Sequence, residues 1–428
     1  MKNRASRLRL GLPPAFRYPA YRAFWLGSLA SVSGFQVLQF GQLWLVHQLE
    51  PSPLFLGYVG VANALPAIVL SLFGGLFADR LDKRRLIIVT QTTSAALTFL
   101  LATLTLMGKV RVEHVLIIAL FTGAVQAFDQ PARQALFPQL IERKALMNAV
   151  ALNSAIWQGT RIVAPAAAGV IISLVGTEAA FYATCLGFLT MAGVMYLLKV
   201  PRVERRAPAN AGRELLDGLQ FIKRNSVFSF LIGMTFFNSF FGLAYIMLMP
   251  VFAVDILKVG AEGQGVLLSA SGIGALLSTL WMASLGNVPR KGLLLIGGAT
   301  MAGLSVAAFG LTSQFIRSYP LALALMPLIG VFTSVYMISI MTSLQTMVPD
   351  GMRGRVMGVY GMTWSIMPLG GMQAGAVASI IGAPFAIAIG GLAVAAFALG
   401  PALVNPRVRN LGSLLRQFET ARPGGRSP

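Results

Sequence analysis

Two uncharged stretches, Gly57–Ala78 and Leu86–Met107, flank a loop that carries six charges between Asp79 and Arg85. Each is long enough to cross the hydrocarbon core of a bilayer as a helix, which takes about 20 mostly apolar residues. The pattern repeats. Similar runs fall near Phe24–Val46, Val115–Phe137, Met147–Leu174 and Ala179–Leu198. A second set follows at Val227–Val251, Gly263–Leu285, Leu293–Leu311, Leu321–Met341, Val356–Ile381 and Pro384–Leu403. Lipid offers no partner to backbone N–H and C=O groups, so spans of this length are helices. The expectation is an all-α membrane protein with 12 transmembrane helices. Pro66, Pro165, Pro327 and Pro368 fall inside spans, where neighbouring helices can re-satisfy the backbone.

Composition supports the same class. Charged residues make up 11% of the 428 residues, against about 25% in soluble proteins. The mean hydropathy is +0.73. A net charge of +20 raises the question of a nucleic-acid partner. The basic residues form short clusters between apolar runs, not one stripe interleaved with aromatics, so that partner is excluded. The single cysteine, Cys185, excludes an internal disulfide and reads as a small buried hydrophobe. The basic segment Met1–Arg22 leads into an apolar run longer than the roughly 7–15 residues of a secretory signal, so it reads as the lead to an uncleaved first span.

The runs divide into an N-terminal six-helix bundle (1–198), a cytoplasmic linker (199–225), a C-terminal six-helix bundle (226–404) and a cytoplasmic tail (405–428). Within the linker, Glu214, Leu215, Leu216, Leu219, Phe221 and Ile222 have the spacing of a short amphipathic helix on the membrane surface. Placing both termini inside puts 29 of the 34 Lys and Arg residues on the cytoplasmic side. Only Lys109, Arg111, Lys258 and Arg317 then fall outside, with Arg161 inside a span. That asymmetry is the positive-inside pattern, and the basic clusters have anionic lipid headgroups as partners. The halves echo each other. Arg161-x-x-x-Pro165 with Gly169 matches Trp364-x-x-x-Pro368 with Gly371, the internal symmetry that many transporters carry.

The charged loop resembles the one between helices 2 and 3 of major facilitator superfamily transporters: Gly75, Ala78, Asp79, Arg80, Lys83 and Arg84 match, while Asp82 stands where that family usually has Gly. Three further stretches, Arg17–Gly27, Asp129–Pro138 and Arg353–Val356, are similar to a bacterial branch that includes the enterobactin exporter and macrolide efflux proteins. The resemblance implies two pseudo-symmetric six-helix bundles that rock about a midplane site. It implies a monomeric, multi-pass protein of the bacterial inner membrane that exports amphipathic small molecules, drugs or siderophores, by proton antiport. Lipid or lysophospholipid transport, or uptake, is the alternative. An enzyme is not expected: the sequence has no nucleophile elbow, metal-ligand cluster or phosphate-binding loop, and no cofactor is implied.

Three groups of candidate site residues follow. The first is a cytoplasmic gate of Gly75, Asp79, Arg80, Lys83, Arg84, Arg353 and Arg355. In it Asp79 meets the positive end of helix 11, expected to begin near Val356. The second is the charges deepest in the spans, Asp129, Arg133 and Arg161. Asp129 could pair with Arg161, or with Arg133 one turn away. It is the candidate proton carrier by elimination among the acids. The third is a cavity lining of Gln36, Gln39, Gln126, Trp157, Asn238, Tyr245, Tyr336, Trp364 and Gln373, mixed amides and aromatics that suit an amphipathic ligand. His47 and His114 read as interfacial polar caps.

Overall fold

The computed structural model describes residues 13–80, 82–198, 211–285 and 291–404. The first six long helices are α1 (Pro19–Leu49), α2 (Pro53–Arg80), α3 (Lys83–Leu106), α4 (Val112–Leu136), α5 (Leu146–Leu174) and α6 (Thr177–Leu197). A short helix α7 (Ala211–Lys223) follows, where the spacing of Leu215, Leu219 and Ile222 calls for one. The second half holds α8 (Ser226–Phe237), α9 (Tyr245–Val251), α10 (Gly260–Ser284), α11 (Lys291–Phe315), α12 (Tyr319–Met347), α13 (Asp350–Trp364), α14 (Met367–Ile381) and α15 (Ala383–Val404).

Eleven spans meet the length and hydropathy of a membrane crossing among the described residues. The twelfth crossing is α1. Its Ser28, Ser31, Gln42 and His47 lower its hydropathy, and all four are buried inside the protein. Outward, large apolar side chains such as Leu26, Phe99, Ile117, Leu197 and Ile380 are exposed, a surface suited to lipid rather than water.

Two spans are interrupted. The seventh consists of α8 and α9 joined by π-helical turns, Asn238–Gly242 between them and Phe252–Ile256 after them. The eleventh breaks between Trp364 and Met367. Pro368 lacks an N–H and its ring clashes with the carbonyl four residues back, on Trp364, which is where α13 stops. This span also begins at Asp350, behind the extended Pro349, and not near Val356. Arg353 and Arg355 therefore sit inside the first turns of α13 instead of ahead of it.

α1–α6 pack together as one bundle, and α8–α15 as the other. The bundles meet through α2 against α14 and α5 against α10, with α9 touching α1 and α2. These contacts run from the end where α1 finishes and α2 begins to mid-span. Glycine sets the approach. A Cβ on Gly57 would stand 2.6 Å from Met372 Cα, and one on Gly265 would stand 2.4 Å from the Pro165 carbonyl.

Candidate functional site

The site is assembled from the charged loop inward. Asp82 caps α3 by accepting from the backbone N–H groups of Arg84 (3.0 Å) and Arg85 (3.3 Å). This is what a carboxylate at a helix N-terminus does best. Its second contact is an exposed pair with Arg85 at 3.9 Å. Arg84 turns the other way. Its guanidinium donates to the Met195 carbonyl (2.7 Å) and the Tyr196 carbonyl, satisfying the end of α6. Arg84 is thus a brace within the first bundle. Gly75, Asp79 and Arg80 lie in the last turns of α2, with side chains outside the described residues, and Lys83 opens α3 half-buried. Arg355 pairs with Asp217 of α7 at 3.1 Å.

Two turns along the capped helix, Thr90 and Gln91 point at Asp129 of α4. Thr90 Oγ1 donates to Asp129 Oδ1 at 2.6 Å and Gln91 Nε2 donates to the same oxygen at 3.0 Å. Arg133 Nε donates to Oδ2 at 2.5 Å. Arg133 Nη2 donates to Ser31 Oγ of α1 (2.7 Å), and Ser31 donates to Gln91 Oε1 (2.7 Å), which closes a ring across three helices. Of the two partners the sequence allowed, Arg133 is the one Asp129 has. The pair follows from i,i+4 spacing on one helix face. Asp129 is 2% exposed and Arg133 8%. Apart from His47, no other ionisable Asp, Glu, Lys, Arg or His side chain is buried among the described residues.

Arg161 is elsewhere. It lies exposed at the middle of α5, where Ile162 packs against Gly272 of α10 and accepts from Ser269 (2.5 Å). Of the residues expected to line a cavity, Gln36, Gln39, Gln126, Trp157, Trp364 and Gln373 are partly or fully exposed. Tyr245 is buried, 3.4 Å from Ser271 Oγ. Asn238 and Tyr336 are buried within the second bundle.

At the end where the bundles meet, His47 Nε2 stands 3.2 Å from Asp255 Oδ2. His47 is not merely an interfacial cap: it ends α1 and joins the opposite bundle. Asp255 escapes a reading of the sequence because it looks like one more loop acid. The available signal is symmetry, since His47 and Asp255 end the first and seventh spans.

Two helical bundles of six spans each, held together at one end, are the architecture of many membrane transporters. The chain matches the transmembrane secretion effector family over residues 11–414 and belongs to it, within the major facilitator superfamily. It is 26% identical to the staphyloferrin A transporter of Staphylococcus aureus, over 84% of this chain and 89% of that one. It is 22% identical to macrolide efflux protein A of Streptococcus pyogenes, over 90% and 96% of the two chains. With the enterobactin exporter EntS of Escherichia coli the identity is 24%, over 80% and 81%. Its fold superposes on a bacterial homologue of the lysosomal transporter Spinster in an inward-facing, unoccupied conformation, with a TM-score of 0.71 and 14% identity, over 97% of this chain and 100% of that one. The protein is a multi-pass membrane transporter and not an enzyme.

Proposed function

We propose that the protein exports amphipathic small molecules, drugs or siderophores, from the bacterial cytoplasm in exchange for protons. It acts as a monomer in the inner membrane. The observation that carries the coupling is Asp129, buried at 2% exposure and bonded to Arg133, Thr90 and Gln91. The export direction is supported by the efflux and exporter names among the relatives.

The chemistry follows from the hydrogen bonds. An ionised carboxylate only accepts, and all three neighbours donate to it. A proton on Oδ2 would oppose the N–H of Arg133 Nε and release the guanidinium. Neutralising one partner of a buried pair leaves the other uncompensated, a change of about 3–5 kcal/mol. Alternating states separated by a few kcal/mol can be driven by a change of that size.

The Lys and Arg asymmetry supports cytoplasmic termini, with 199–225 and 405–428 on the same side. The end joined by His47 and Asp255 is then the outer one, and the conformation faces inward. When that end opens, Asp79 closes the opposite side by meeting the α13 N-terminus, with Arg353 and Arg355 beside it. In the inward-facing state Arg355 is held by Asp217 instead.

The test is transport in inverted vesicles with an imposed pH gradient, across amphipathic compounds, siderophores and lysophospholipids. Export predicts gradient-driven accumulation that Asp129→Asn abolishes. Accumulation that ignores the gradient removes proton antiport. Transport restricted to lysophospholipids, or running only in the uptake direction, replaces this reading with its alternative.

A further inference from the structure

The transport reading leaves the charge of the cargo open, and the inner face of the first bundle carries information on it. Arg161 sits at the middle of the 29-residue α5. A cation at that depth is costly on every membrane scale and is kept where it has a partner or a function. Among the described residues Arg161 forms no ion pair. Its side chain is exposed, and it lies on the face of α5 that carries Trp157 and Asn153, one and two turns back, which line a cavity with residues of α1 and α4. That face is turned toward α1 and α4.

A second donor group lies one helical turn away. Trp157, four residues before Arg161 on α5, lines a cavity of about 30 Å³ with Ser28, Gln130, Arg133, Gln134 and Asn153. Arg133 Nη1 and Ser28 Oγ are both buried there with no hydrogen-bond partner among the described residues. The Nε and Nη2 groups of Arg133 are committed to Asp129 and Ser31, so Nη1 is the edge left for a ligand. Arg133 and Asp129 cancel each other. The uncompensated charge of this face is the cation of Arg161. No acidic side chain lines the cavity beside it. Low-dielectric walls concentrate such a field on whatever enters.

We propose that the cargo is an organic anion whose carboxylate docks on Arg161, with its apolar body against Trp157. This rests on the reading of the inter-bundle space as the transport path. A planar guanidinium matches a carboxylate with two parallel hydrogen bonds, and the indole offers a flat apolar wall beside it. The same face repels an amphipathic cation, so it separates two cargo classes that an amide-and-aromatic lining alone would accept equally. Arg133 Nη1 and Ser28 Oγ then serve a second oxygen of a polydentate anion.

The experiment is equilibrium binding to the full-length protein in nanodiscs of zwitterionic lipid, with empty nanodiscs subtracted. The probes are 4-(1-pyrenyl)butyrate, its methyl ester and 4-(1-pyrenyl)butylamine, which share one apolar body and differ in head charge. Energy transfer from tryptophan to pyrene reports occupancy. The expected result is saturable binding of the carboxylate, with the ester and the amine at least tenfold weaker. Arg161→Gln weakens the carboxylate at least tenfold, and Arg161→Lys, which keeps the charge but not the two-bond fork, restores only part of it. Equal binding of ester or amine, or carboxylate binding that survives Arg161→Gln, overturns the proposal. The assay needs no gradient. Loss of proton coupling in vesicles would therefore leave this result standing, and a failure here would leave the export reading standing.

Discussion

His47 Nε2 and Asp255 Oδ2, 3.2 Å apart, join the end of α1 to the π-helical turn that ends the seventh span. The His47 side chain is 2% exposed and that of Asp255 43%. A partly solvated pair contributes modestly, and this one joins the two bundles, which separate at this end in the proposed cycle. Asp255→Asn is expected to weaken the joined state by about 1 kcal/mol, a roughly fivefold shift in population. Spin labels at Glu50 and Lys258, exposed at the same end, measure it: the long-distance fraction rises in the variant. An unchanged distance distribution would show that the pair does not hold this end.

A close glycine contact between the bundles at the same end should act on conformation, and one within a bundle on folding. A Cβ on Gly57 meets backbone of the opposite bundle, at 2.6 Å from Met372 Cα. A Cβ on Gly123 meets backbone of its own bundle, at 1.9 Å from the Asn63 carbonyl. Gly57→Leu is therefore expected to favour separation of the bundles, seen with the same spin labels, with little loss of thermal stability. Gly123→Ala is expected to lower the melting temperature by several degrees, an overpacking effect of about 1–3 kcal/mol. If both substitutions act only on stability, the Gly57 contact is ordinary packing.

Much of this architecture is legible in the sequence because lipid imposes a single rule on each span. The expected spans match the observed helices to within a few residues where hydropathy decides the boundary, as for α5 and α6. They miss where backbone geometry decides it, at the π turns after Phe237 and at the break that Pro368 makes after Trp364. The site is less legible. The spacing of Asp129 and Arg133 offers their pairing as one of two choices, but Thr90, Gln91 and Ser31 join through tertiary contact alone. Asp82 looks like a disturbance of a glycine position because its partners are backbone N–H groups, which a side-chain pattern cannot display.

That capping role can be checked directly. Asp82→Ala removes the acceptor for two N–H groups at the start of α3 and is expected to destabilise the protein by about 1 kcal/mol. Asp82→Asn and Asp82→Ser can still cap and should lose far less. Thermal unfolding in detergent distinguishes the three variants. A loss in Asp82→Asn as large as in Asp82→Ala would assign the effect to the Arg85 pair instead of the cap.

The Asp129–Arg133 pair makes an asymmetric prediction, because the two residues leave different things behind. Removing the guanidinium in Arg133→Gln strands a carboxylate that is 2% exposed, with only Thr90 and Gln91 still donating to it. Breaking a buried pair from one side destabilises by about 3–5 kcal/mol. Asp129→Asn keeps an oxygen that Thr90 or Gln91 can donate to, but its amide N–H groups now face the guanidinium of Arg133. A neutral pair of similar shape, Asp129→Asn with Arg133→Gln, removes both buried charges and leaves amides that can bond to each other. The double variant should therefore be more stable than Arg133→Gln alone, with a coupling of about 1–3 kcal/mol in a double-mutant cycle. Stability should return in this variant while gradient-driven transport does not, since no group remains to take a proton. Full recovery of both would mean that the pair is structural and that coupling resides elsewhere.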